Sequence, residues 1–153
     1  MPRAVLEEVS RKLQQLYAAT LNAERRFAPS GAGLELLDRL MNDPAWAWLR
    51  PLSTLIAEVD HALAQDGELS EMEGAAAAAH IRGLIFGEGD LLDEAFLTHY
   101  RSLLQIDHAL ASTHGQLRQL MKSLPDESPN ESERLHARHQ WAMRRKHRPQ
   151  SRS

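Results

Sequence analysis

The chain holds no cysteine, so whatever chemistry it does must come from carboxylates, imidazoles and indoles. Thiol catalysis, disulfides and thiolate metal centres are excluded. Glu58 and His61 are three residues apart, a spacing that stacks both side chains on one helix face and could let them share a metal ion. A dinuclear site in a helical bundle needs two Glu-x-x-His units and two further glutamates. No second unit exists, and Glu94 and His99, five apart, would not share a face. The pair is expected at the edge of the core, with metal ligation as the alternative.

Five histidines precede residue 125: His61, His80, His99, His108 and His114. His99 stands between Phe96 and Leu103 on an apolar stripe, so it is expected in the core, hydrogen-bonded or touching a ligand. Trp46 and Trp48 sit between Pro44 and Pro51. Two apart on a helical turn, they point in different directions, one toward the core and one toward a surface for a protein or an apolar ligand. Trp46, Trp48 and His99 are therefore the expected binding surface.

Other local patterns carry less. Asp66-Gly67 through Glu73 resembles the back half of an EF-hand calcium loop, but Ala62 and Ala64 stand where the first carboxylate ligands belong. A glycine turn followed by a capped helix accounts for every residue there. Gly87-Glu88-Gly89 lacks the third glycine of a nucleotide loop and follows no strand. No serine or threonine occupies a strained elbow. Catalysis is not expected, and no cofactor is implied.

Charge is unevenly placed. Residues 125–153 hold seven Lys or Arg against four Asp or Glu, whereas the first 124 hold eleven against seventeen. From Arg134 onward there is no carboxylate at all. Arg144, Arg145, Lys146 and Arg148 are the expected anion contacts of this tail, which could reach nucleic acid.

The elements that must position these residues are helical. Leu6, Val9, Leu13, Leu16, Thr20 and Phe27 recur at steps of three and four. So do Leu49, Leu52, Ile56, Val59 and Leu63, and again Leu92, Phe96, Leu103, Ile106, Leu110 and Leu117. Each stripe needs a partner to cover it. The spacing predicts helices at 4–27, 34–41 and 51–64, with a short turn at 44–49 that Asp43 caps. Ser70 and Glu73 form a capping box opening a helix rich in Ala and Gly, whose small residues suit a central position. Gly87-Glu88-Gly89 ends it. Asp90 is expected to cap one long helix, 91–123, interrupted near Thr113-His114-Gly115.

The reading is an all-α fold, a bundle of four to five main helices over residues 1–124, followed by a disordered basic tail, 125–153. With only Leu135, Trp141 and Met143 as large apolar residues, that tail is expected to be disordered, or helical only on a partner. The N-terminal residues lack the apolar run of a signal peptide, and charges interrupt every window of membrane-spanning length, so a cytoplasmic protein with no membrane span is expected. The function expected is a non-catalytic interaction or regulatory module that binds a protein partner or itself as a homodimer. A small-ligand or metal-binding bundle is the alternative, and a nucleic-acid-associated factor using the tail a further one.

Overall fold

The computed structural model describes residues 2–27, 44–65 and 67–146. Its fold is all-α, with no strand among the described residues. Helix α1 spans Pro2–Phe27. A 3-10 turn at Pro44–Leu49 leads directly into α2, Arg50–Leu63. Pro51 falls in the first turn of α2, where its missing N–H leaves no hydrogen bond unmade. Helix α3 is Glu71–Ile81, continued by a π-helical segment, Arg82–Phe86. Then come α4, Glu94–Ile106, α5, His108–Met121, and α6, Glu131–Lys146.

Helix α1 is the central element: its stripe Leu6, Val9, Leu13, Leu16, Thr20 and Ala23 is fully buried. It packs against α2, α3, α4 and α5. The Thr20 hydroxyl, buried among these residues, donates to the Leu16 carbonyl at 2.7 Å, which satisfies it inside the core. In α2 the inward row is Leu52, Leu55, Val59 and Ala62, while Ile56 and Leu63 sit at its margin.

Helix α3 is buried along much of its length, as its small residues suggest. The expected capping box is present: Ser70 Oγ accepts from the Glu73 N–H at 3.0 Å, and Glu73 Oε1 accepts from the Ser70 N–H at 3.2 Å. Ala76, Ala77 and Ala78 are fully buried, and a Cβ at Gly74 would press on Pro2 of α1. At Gly83 a Cβ would collide with the backbone carbonyl of Leu91. The π segment buries Gly83 through Phe86 consecutively, and Gly87, with φ of 68°, ends it in the left-handed region that glycine tolerates.

Four expectations are corrected. The N-cap of α4 is Asp93, whose carboxylate accepts from the Phe96 N–H at 3.0 Å; Asp90 lies in the preceding loop. The 91–123 rod is broken at Asp107, not near Gly115, which lies inside α5. Asp107 is buried in extended conformation, ends α4, and starts α5 by accepting the Leu110 N–H at 2.8 Å. Leu92 and Ile106, assigned to the core stripe by spacing, are exposed, because the break turns Ile106 outward at the corner.

The fourth correction concerns 125–153. Residues 131–146 are the helix α6, packed on α2 and α3 of the same chain, so the body does not end at 124. Asn130 Oδ1 accepts the Glu133 N–H at 3.0 Å and starts the helix. Trp141 is fully buried and Ala137 nearly so, four residues apart on the inner face. The Arg138 guanidinium grips Glu127 at 2.6 and 2.7 Å and Asp90 at 2.8 and 3.2 Å. The paired Arg138, with Trp141, supplies the contacts that a count of apolar residues missed. The expected helix at 34–41, the Asp43 cap and residues 147–153 lie outside the described residues.

Candidate functional site

Two of the three expected binding residues meet. The 3-10 turn carries Trp48 across the face of α4, where its indole stacks on His99 with ring centres 4.0 Å apart and planes 12° from parallel. Phe96, one turn earlier on α4, flanks the indole at 5.6 Å. Glu24, in the last turns of α1, holds both rings: Trp48 Nε1 donates to Oε1 at 3.3 Å and His99 Nε2 donates to Oε2 at 3.1 Å. Sequence spacing placed His99 in the core, but Tyr100 takes that place and the His99 side chain keeps 40% of its surface exposed. With Nε2 turned to the carboxylate, the Nδ1 edge is set in orientation and the ring is braced from one side by indole. Such a platform can stack a planar group or accept a hydrogen bond. Three elements distant in sequence build it, so Glu24 carried no local signal. The Trp46 side chain lies outside the described part of the structure.

A second histidine is more enclosed. The Tyr100 hydroxyl and His114 Nδ1 share a hydrogen bond at 2.8 Å, bridging α4 and α5. The Phe86 ring meets His114 edge-on at 4.8 Å, and the Arg118 guanidinium covers Phe86 at 4.4 Å. Burial, and then the charge of Arg118, lower the His114 pKa to about 4. Burial also pushes the Tyr100 phenol well above its ordinary value. Both groups are therefore neutral near pH 7, and their bond is a structural tie between neighbouring helices.

Glu58 and His61 share one side of α2, at the margin of the core. Among the described residues no group of three or more His, Asp or Glu could hold a metal ion. Asp60, between them in sequence, faces α1 and accepts from Ser10 and Gln14.

The tail cations divide. Arg144 turns inward: Nε donates to Glu73 Oε2 at 2.8 Å and Nη2 to the Glu68 carbonyl at 3.1 Å, so its anion belongs to its own chain. Partial burial raises the Glu73 pKa, but the hydrogen bonds from Arg144 and from the Ser70 N–H outweigh it and hold the carboxyl below its ordinary value. Arg148 and the Arg145 and Lys146 side chains lie outside the described part. On the outer side of α6, by contrast, Leu135 and Met143 are 53% and 57% exposed.

Comparison with protein-family models, with curated proteins and with solved structures finds no match.

Proposed function

We propose that the protein is a non-catalytic helical interaction or regulatory module of the cytoplasm that associates with itself. The observation that carries this is the two-sided character of α6. Its inner side supplies Trp141 to the core, while Leu135 and Met143 form an exposed apolar line on the outer side. Large apolar side chains left exposed on the outside of a docked helix suit a contact with a further surface. The polar groups suited to chemistry support the same reading, since they tie helices together. Glu24 bridges Trp48 and His99, Asp107 joins α4 to α5 and takes Arg26 at 3.3 Å, and Glu73 takes Arg144. No helix among the described residues is long and apolar enough to cross a membrane.

Sedimentation velocity across a series from low micromolar to several hundred micromolar tests the reading. The expected result is a sedimentation coefficient that rises with concentration. A strict monomer throughout overturns self-association.

A second reading is favoured by the half-exposed His99 braced on Trp48: the platform takes a small planar ligand. Titration with flat aromatic compounds, read by tryptophan fluorescence, is expected to quench the wild type and not His99→Ala. Equal quenching in both overturns it. Metal analysis of the purified protein decides whether Glu58 and His61 hold an ion.

A further inference from the structure

We infer that residues 127–146 form a strap that lifts off α2 and α3 as one body, hinged at Asp126, while the other helices stay folded. The inference goes beyond self-association and holds for a monomer and a dimer alike. Its first support is where the chain is held. Arg82, at the start of the π segment, donates to the carbonyls of Met121 at 2.8 Å, Leu124 at 3.1 Å and Pro125 at 3.3 Å. It also meets the Asp126 carboxylate at 3.4 Å, although that side chain is 95% exposed. The connection is thus fixed to the body as far as Asp126.

Beyond that point the hydrogen bonds turn back on the strap itself. Arg138 grips Glu127 at 2.6 and 2.7 Å across eleven residues of chain. Ser128 Oγ donates to Glu133 at 3.2 Å, the Ser128 carbonyl accepts from Arg134 at 3.4 Å, and Asn130 caps the helix. All of these bonds are kept when the strap lifts. Among the described residues its polar ties to the body are fewer: Asp90, which is 71% exposed, Glu73 and the Glu68 carbonyl. Trp141 and Ala137 are the apolar anchors.

The seam beneath the strap is imperfectly filled. Two clefts of about 160 and 150 Å³ lie along it, one beside Met72, Ala75 and Ala137, the other beside Ala79, Asp90 and Arg138. The buried side-chain polar atoms left without a partner among the described residues are Trp141 Nε1 and Arg144 Nη1. Both belong to the inner face of the strap. A buried donor with no acceptor favours the state in which water reaches it. Segments held by few apolar contacts open before the rest of a domain does. Once lifted, the strap bares the sides of α2 and α3 against which it packs, and so governs access to them.

Hydrogen exchange of the full chain, read by mass spectrometry, tests the strap. The amides of α6, its centre around Ala137 and Trp141 included, are expected to exchange at least about ten-fold faster than those of α1. A centre as protected as α1, with only the helix ends exchanging early, is fraying and overturns the inference. Arg144→Met, which removes the tie to Glu73, is expected to speed exchange in α6 by a further factor of about ten and leave α1 unchanged. No acceleration, or equal acceleration in α1, overturns it. The chain has no cysteine, so Ala137→Cys sets a single thiol in the seam, beside a cleft with room for the added sulfur. Its labelling by a thiol reagent under native conditions is expected to outpace that of Ala23→Cys, buried in α1, by about ten-fold or more. Equal labelling rates refute the strap.

Discussion

Replacing Trp141 separates a docked α6 from a loose tail. Its side chain is fully buried on the inner face of the helix, and Nε1 has no partner among the described residues. A tryptophan buries about 150–250 Å², and at about 25 cal/mol per Å² that corresponds to roughly 4–6 kcal/mol of transfer free energy. The unpartnered indole N–H opposes this by about 1–3 kcal/mol. Trp141→Ala should therefore destabilise the protein by about 1–5 kcal/mol, unless α6 releases first and limits the loss to its docking energy. Trp141→Phe keeps most of the apolar surface and removes the stranded donor, so it should fall within about 1 kcal/mol of the wild type. Urea denaturation followed by circular dichroism gives both values, and limited proteolysis after residue 125 reports release of α6. A Trp141→Ala variant as stable and as protease-resistant as the wild type would show that α6 does not dock. A loss above about 2 kcal/mol in Trp141→Phe would show that Nε1 has a partner, and would remove the argument from the stranded donor.

Acid stability should depend on His114. Its folded pKa of about 4 lies below the ordinary value of 6.5, so the folded state binds the proton less readily than the unfolded chain. Its contribution is complete above pH 6.5 and is lost as pH falls toward 4. The shift corresponds to about 3 kcal/mol, reduced to about 2 kcal/mol because the ring is only partly enclosed. His114→Asn should flatten the stability profile between those two pH values, and a parallel profile in the variant would refute the assignment. Gly83→Ala should cost about 1–3 kcal/mol, since its Cβ meets the fixed backbone carbonyl of Leu91 rather than a movable side chain. Thermal melting checks it, and an unchanged midpoint would mean that the 83–91 approach is looser than described.

How far the sequence could be read depended on where each residue's partner lies. The α1 stripe and the Ser70–Glu73 capping box were legible because their geometry is contained within a turn or two of one helix. On α4 the spacing was ambiguous: Phe96–His99–Leu103 and Phe96–Tyr100–Leu103 both follow steps of three and four. What decides is Trp48, some fifty residues earlier, which covers the His99 edge and leaves Tyr100 for the core. The break at Asp107 did have a local signal, an aspartate three residues before Leu110, the same pattern that Asp93 makes with Phe96.

The misreading of α6 has a more general cause. A window that counts apolar residues treats arginine as a reason for disorder, and α6 has several. Here Arg138 and Arg144 are what fasten the helix, each meeting carboxylates that lie far away in sequence, at Asp90 and Glu73. The same segregation explains why the outer side of α6 stands out once the inner side is accounted for. With the inner arginines and Trp141 assigned to the body, the exposed Leu135 and Met143 are no longer surplus residues of a loose tail. They are exposed apolar side chains on the outside of a helix that the body holds in place.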